Sequence, residues 1–267
     1  RVLGTIGWIV ANLVVSGLFG ADKLALQYYV TAAAGLCLGL YSFALPHTPP
    51  PARGKAFSWR EALGLDALAL LKERSFLVFI AASFLICIPL AAYYAFAQVF
   101  VGEAGFLKPA ANMSFGQMAE IVFMLIMPWF FRRLGVKWML AVGMLAWAAR
   151  YALFALGAPS GMTWMILGGI LLHGICYDFF FVTGFIYTDG KANPKIRGQA
   201  QGFLVLVTQG LGLGIGAQVA QALRDAIVTG EGAARLASWQ NFWLVPCLAA
   251  GVILVLFLCL FRGRRAD

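Results

Sequence analysis

Long apolar stretches recur along the chain, separated by short polar segments that carry most of its charge. About 20 consecutive apolar residues are enough to cross a bilayer as a helix. The pattern predicts eight spanning helices, at residues 4–19, 26–45, 76–100, 113–131, 138–156, 164–187, 202–223 and 242–261. Hydrophobic residues make up 62% of the chain and charged residues 12%, which excludes an ordinary soluble domain. We therefore expect an all-α integral membrane protein.

The basic residues between these stretches predict how the helices are oriented. Cytoplasmic loops of membrane proteins carry an excess of Lys and Arg. Fourteen basic residues follow the second, fourth, sixth and eighth predicted helices: Arg53, Lys55, Arg60, Lys72, Arg74, Arg132, Arg133, Lys137, Lys191, Lys195, Arg197, Arg262, Arg264 and Arg265. The alternate loops hold four: Lys23, Lys108, Arg224 and Arg235. We therefore expect both ends of this chain on the cytoplasmic side, and the net charge of +9 reflects topology rather than a nucleic-acid surface.

A proline-rich segment divides the predicted helices into two groups. Prolines cluster at 46–51, and the following sequence 58–61 (SWRE) has the form of a capping box that opens a short amphipathic helix. We expect residues 1–45 to hold the last two helices of an N-terminal bundle and 46–75 to form a cytoplasmic linker. Residues 76–267 would then form a C-terminal six-helix bundle with a basic tail. This layout looks like the last two thirds of a twelve-helix transporter, so we expect a longer polypeptide to precede Arg1.

The cysteines indicate neither a metal site nor a disulfide framework. All five fall within predicted spans without paired ligand spacing, as small apolar packing residues: Cys37, Cys87, Cys176, Cys247 and Cys259. The glycine-rich run 210–216 lacks the spacing and the preceding strand of a dinucleotide fingerprint, which favours helix packing. No cofactor is implied, and neither an activated nucleophile nor a reaction motif indicates an enzyme.

Three ionisable residues lie inside predicted spans: Glu120, Arg150 and Asp178. Each costs about 2.5–3.5 kcal/mol to place at the centre of a bilayer, and such residues usually line a route for a polar or protonatable solute. They point to transport. A nearby Arg150 would favour the ionised form of a buried carboxylate, so its movement could switch protonation. Equally, Arg150 could be a static clamp, and the sequence leaves open whether it pairs with Glu120 or with Asp178.

Two pairs of polar residues share helix faces. Gln117 and Glu120 are three positions apart, and His173 and Tyr177 are four apart, with Asp178 adjoining the second face. Amide, carboxylate, imidazole and phenol groups in an apolar bundle suit a ligand that carries several hydroxyls and a flat heterocycle. A nucleoside fits this description.

Five sequence strings resemble the nucleoside:proton symporter family of the major facilitator superfamily. They are residues 1–8 (RVLGTIGW), 45–49 (LPHTP), 116–120 (GQMAE), 173–184 (HGICYDFFFVTG) and 196–203 (IRGQAQGF). The resemblance runs over nearly the whole chain, as helices five to twelve of that fold. It implies a proton-driven importer of nucleosides in a bacterial inner membrane, working by alternating access, and we expect it to act as a monomer.

The resemblance also implies a set of site residues. Substrate contacts are expected from the polar and aromatic residues at matching positions: Arg1, Thr5, Trp8, Tyr94, Gln117, Glu120, His173 and Tyr177. Proton coupling is expected from Glu120 and Asp178 with Arg150. Two alternatives stay open, namely a facilitator for a sugar or another small polar metabolite, and a non-transporting fragment.

Overall fold

The computed structural model describes residues 2–48, 58–62 and 64–262. Its α-helices are α1 (Val2–Asn12), α2 (Leu26–Ser42), α3 (Trp59–Ala62), α4 (Arg74–Glu103), α5 (Pro109–Gly157), α6 (Thr163–Leu171), α7 (His173–Cys176), α8 (Thr183–Lys191), α9 (Arg197–Val205), α10 (Leu213–Ile227) and α11 (Gly232–Leu260). Three segments widen into π-helix, at Leu13–Leu18, Tyr177–Val182 and Leu206–Gly212. These π segments continue α1 and join α7 to α8 and α9 to α10.

Several of the helices are long and apolar enough to cross a membrane. Five continuous helical stretches in the described part of the chain meet both criteria: Arg74–Glu103, Pro109–Gly157, Thr163–Lys191, Arg197–Ile227 and Gly232–Leu260. Val2–Leu18 is a shorter apolar helical stretch. Because lipid offers no hydrogen bonds to the backbone, a helix is the form in which such apolar stretches can cross. All eight predicted spans fall on helix, which confirms the all-α fold class.

The fourth and fifth predicted spans are two helices that meet at Gly135, within the range Pro109–Gly157. Gly135 interrupts α5 with φ of 65° and ψ of 178°, outside the helical region. This left-handed φ is open to glycine at little cost and strained for other residues. The expected loop between the two spans is therefore reduced to a sharp turn at a single glycine.

Aromatic side chains from α4, α5 and α11 fill the core of the C-terminal part. Trp147, Phe154 and Trp243 are at most 1% exposed. Trp243 stacks on Tyr151 with centroids 5.9 Å apart, and the Tyr151 hydroxyl donates to the Pro89 carbonyl at 3.0 Å. The buried hydroxyl is thus paired, as a polar group in this environment must be.

The linker is less regular than the sequence indicates. α3 ends at Ala62, Gly64 has φ of 68°, and a 3-10 helix follows at Leu65–Lys72, so the expected single amphipathic helix is broken into two pieces. Ala67 is buried against Ala192 and Ala200, which packs the second piece on the ends of α8 and α9. Residues 49–57 of the linker, with Arg53 and Lys55, and residues 263–267 of the basic tail, with Arg264 and Arg265, lie outside the described residues.

The cysteines follow the expectation only in part. Cys87 and Cys176 are buried packing residues and Cys247 is half-buried, but Cys37 and Cys259 are exposed on the helix surface. The expectation of small apolar packing residues therefore holds for Cys87, Cys176 and Cys247, whereas Cys37 and Cys259 lie on the outward apolar faces of their helices.

Candidate transport cavity

A cavity of about 460 Å³ lies between α1 and the helices α4, α5 and α7. Seven of the predicted substrate residues line it: Thr5, Trp8, Tyr94, Gln117, Glu120, His173 and Tyr177. The rest of the wall comes from Gly4, Asn12, Tyr93, Gln98, Ala110 and Met113. The eighth predicted residue, Arg1, lies outside the described residues. Residues that are more than a hundred positions apart in the chain therefore meet at one site.

Glu120 is the buried acid of this cavity, with 6% of its surface exposed. The Thr5 hydroxyl donates to its Oε1 at 3.0 Å, which joins α1 to α5. His173 Nε2 lies 3.7 Å from the other carboxylate oxygen, Oε2. That distance is too long for a direct hydrogen bond, but it allows an attraction whenever the imidazole is charged. The carboxylate thus lies between α1, from the N-terminal part of the chain, and α7, from the C-terminal part.

Two glycines let α5 and α7 approach closely enough to bring Glu120 beside His173. A Cβ on Gly174 would lie 2.7 Å from the Ala119 carbonyl carbon and the Glu120 nitrogen. A Cβ on Gly116 would lie 2.9 Å from the His173 Cβ. Such distances exclude any side chain unless the helices separate. The glycines of the GQMAE and HGICYD strings therefore set the geometry of the acid and the imidazole.

Aromatic rings stack along the cavity wall. The His173 ring lies between Tyr93, with centroids 5.8 Å apart, and Tyr177, at 5.9 Å, and the interplanar angles are 21° and 23°. These values correspond to offset stacking. The Arg150 guanidinium carbon also contacts Tyr93, 4.1 Å from the ring centroid. The stack holds the imidazole in one orientation.

Arg150 is fully buried behind this stack. Its Nε donates to the Gly169 carbonyl at 3.1 Å, while Nη1 and Nη2 have no hydrogen-bond partner among the described residues. Its ring contact is with Tyr93, and whether it pairs with Glu120 or with Asp178 stays a prediction from the sequence. Its contacts join α5 to α4 and α6.

Asp178 is also fully buried, but it is not part of the cavity wall. It is the second residue of the π segment Tyr177–Val182, which starts at a cavity residue. π segments within helices occur frequently at functional sites. The structure therefore brings seven predicted substrate residues together and leaves Arg150 and Asp178 one layer behind them.

A model of the nucleoside H+ symporter family matches residues 1–266. The chain belongs to the nucleoside H+ symporter family. It is 38% identical to YegT of Escherichia coli (strain K12), over 98% of this chain and 64% of that protein. It is 32% identical to the nucleoside permease NupG of the same strain, over 99% of this chain and 65% of NupG. The chain thus spans about two thirds of the length of these relatives.

The fold of this symporter chain matches solved structures. A crystal structure of a mutant of the nucleoside transporter NupG gives a TM-score of 0.85 at 30% identity, covering 98% of this chain and 67% of that one. A second NupG structure gives 0.80 at 31% identity, covering 99% and 67%. The resemblance to the symporter family is confirmed, and the solved structures that the chain matches are of a nucleoside transporter.

Several cavity residues of the symporter chain were not predicted. Asn12 is four positions after Trp8, and Gln98 is four positions after Tyr94, so each shares a helix face with a predicted residue. Extending the same face by one turn would have found both. Tyr93 gives no such signal, because only the packing of α4 on α7 brings its ring to the cavity.

Proposed function

We propose that the protein carries nucleosides across a membrane together with protons by alternating access. The observation that carries this proposal is a cavity between the two parts of the chain, of about 460 Å³, with one buried carboxylate and several aromatic faces. Small-molecule sites of proteins typically measure about 300–1,000 Å³ and combine apolar walls with a few polar groups. The names of NupG, a nucleoside permease, and of another relative, a xanthosine permease of Escherichia coli (strain K12), agree with this ligand class.

The wall chemistry supports a nucleoside as cargo. Trp8 and Tyr94 are 62% and 52% exposed, which leaves ring surface for stacking on a base. Gln117 Oε1 is buried without a hydrogen-bond partner among the described residues, and a buried polar atom of this kind calls for one. We assign ribose and base contacts to these residues together with Thr5, Tyr177 and, by resemblance, Arg1.

Glu120 is the proposed proton carrier. A charged carboxylate buried among apolar helices costs free energy, so a proton that neutralises it would stabilise the conformation in which the cavity is closed. Thr5 donates to it from the other part of the chain, which links its charge to the fit between the two parts. Asp178 is proposed as a second protonatable group and Arg150 as the cation that influences it.

The remaining features are proposed from the sequence pattern. We place both ends of this chain on the cytoplasmic side of a bacterial inner membrane, with the protein acting as a monomer. Residues 1–45 would belong to the N-terminal bundle, 46–75 to the linker and 76–267 to the C-terminal bundle.

Uptake of labelled uridine by cells that express the complete gene product tests the function. We expect uptake to be competed by unlabelled adenosine but not by sugars, and to be abolished by a protonophore. Competition by a sugar, or uptake no higher than in cells without the protein, contradicts the nucleoside assignment.

The carrier role is tested separately with Glu120→Gln. This variant should exchange nucleoside across the membrane but lose accumulation against a gradient. Glu231→Gln, at an exposed loop position, is the matched control and should accumulate normally. Normal accumulation by Glu120→Gln would remove Glu120 from the coupling mechanism, and the same measurement on Asp178→Asn tests the second candidate.

A further inference from the structure

Asp22, in the loop between α1 and α2, gathers three hydrogen bonds. The Ser16 hydroxyl donates to its Oδ2 at 2.7 Å. The Gln98 side-chain amide donates to Oδ1 at 3.3 Å, and the backbone N–H of Ala110 donates to the same oxygen at 3.1 Å. Gln98 belongs to α4 and Ala110 to α5, so one carboxylate connects the N-terminal part of the chain to two helices of the C-terminal part.

Asp22 also caps a helix from outside it. α5 begins at Pro109, which has no N–H to donate, so Ala110 offers the first free N–H of the helix. Lys108, which precedes α5, provides no side-chain cap. An oxygen at this position satisfies an orphan donor, and its negative charge is favourable near the positive end of the helix dipole. The cap is therefore supplied by the other part of the chain.

The π segment Leu13–Leu18 and the start of α5 contact each other beside Asp22. The Lys108 ammonium donates to the Gly17 carbonyl, and a Cβ on Gly17 would lie 3.8 Å from the Ala111 Cβ. Gly17 belongs to the π segment Leu13–Leu18, which continues directly from the cavity face of α1. The start of α5 and the π segment that follows α1 are thus in contact at this end of the molecule.

Gln98 and Ala110 also line the cavity. The group formed by Ser16, Asp22, Gln98 and Ala110, which we call the Asp22 latch, therefore lies at one end of the cavity. The distribution of basic residues assigns this end to the outside.

We propose that the Asp22 latch is the outer gate of the transporter. It holds the cavity shut towards the outside, and it must part before substrate enters from there. The inference rests on the proposed function for its meaning in transport, but the latch itself is testable without transport.

A disulfide across the latch tests whether it must open. The 3.8 Å between a Gly17 Cβ and the Ala111 Cβ lies within the range of about 3.5–4.5 Å for a disulfide. In the complete gene product, with the exposed thiols Cys37 and Cys259 replaced by serine, Gly17→Cys with Ala111→Cys should cross-link on oxidation. Cross-linking should reduce nucleoside uptake at least tenfold, and reductant should restore it. The two single-cysteine variants control for the substitutions and the oxidant. Unchanged uptake by fully cross-linked protein overturns the proposal.

A labelling experiment reads the gate without transport. Met113 lines the cavity about one turn beyond Ala110, so a Met113→Cys thiol reacts with a membrane-impermeant reagent from outside only when the gate opens. Asp22→Asn should raise this labelling rate by roughly five- to tenfold, since hydrogen bonds to charged groups are the stronger kind. Asp225→Asn is the matched control, because Asp225 is an exposed acid whose bonds are to Gln221 and Arg224 on its own helix.

An equal labelling rate in both variants overturns the latch. If instead the parent protein takes up no nucleoside while Asp22→Asn still raises labelling, the proposed cargo falls and the gate stands.

Discussion

Replacing Gly174 by alanine tests the close approach of α5 and α7 that positions the cavity acid. The added methyl would lie 2.7 Å from backbone atoms of Ala119 and Glu120. Backbone atoms within a helix cannot rotate away, so the helices have to separate by about 1 Å to reach an ordinary contact distance. His173, the residue before Gly174, would move away from Glu120 with it.

The expected cost follows from overpacking. Extra carbon atoms in a well-packed interior usually destabilise by about 1–3 kcal/mol. The helix preference of alanine over glycine offsets about 1 kcal/mol of this cost, so the net loss in the free energy of unfolding should be small. Because displacements of about 1 Å can cost a binding site two orders of magnitude, uptake at low nucleoside concentration should fall about tenfold or more.

The assay compares two substitutions of the same type. Gly168→Ala places a methyl 3.5 Å from the flexible end of Leu153, an ordinary contact, and should leave uptake unchanged with equal or higher thermal stability in detergent. Gly174→Ala should melt at a lower temperature and lose uptake at equal expression. If the two variants have the same melting temperature and the same uptake, the approach of α5 to α7 is not what positions the site.

Three further substitutions test other contacts. Thr5→Val removes the hydrogen bond to Glu120 and should lower nucleoside uptake about three- to tenfold, whereas Thr5→Ser should retain it; equal rates for both would dismiss the contact. Arg150→Met removes the cation proposed to influence Asp178 and should lower the accumulation ratio, whereas an intact ratio would make Arg150 a static clamp. Tyr151→Phe leaves the Pro89 carbonyl without its buried donor and should cost about 1 kcal/mol in unfolding measurements, and an unchanged melting curve would contradict this.

The sequence predicts well whatever depends on neighbours along a helix. The apolar stretches predict the helices because spanning length and backbone satisfaction act locally. The pairs Gln117 with Glu120 and His173 with Tyr177 follow from helical spacing alone, and both pairs reach the cavity. The turn at Gly135 lies where the loop between two spans is expected, although its shortness is not evident from the sequence.

Contacts between distant helices are not contained in such patterns. The contacts of Arg150 with the Tyr93 ring and the Gly169 carbonyl come from the packing of α5 on α4 and α6, which no spacing rule gives. Asp22 is similar, because it has no polar partner at a helical interval that would mark it as important. Its role depends on α5 starting with a proline whose next N–H points to another part of the chain.

The Glu120 site and the Asp22 latch are joined by one helical segment, α1 and the π segment that continues it. α1 carries Thr5, which contacts Glu120, and its π extension carries Ser16, which bonds to Asp22. Eleven helical positions separate them, so the two contacts are about 16 Å apart along the axis. A rigid-body rotation of about 15° about the Thr5 contact would move the latch by about 4 Å, enough to break its hydrogen bonds, while the contact at the pivot is almost undisturbed. Under the proposed function, protonation or binding at Glu120 would act at the pivot, and a small change in fit between α1 and α5 there would open or close the Asp22 latch.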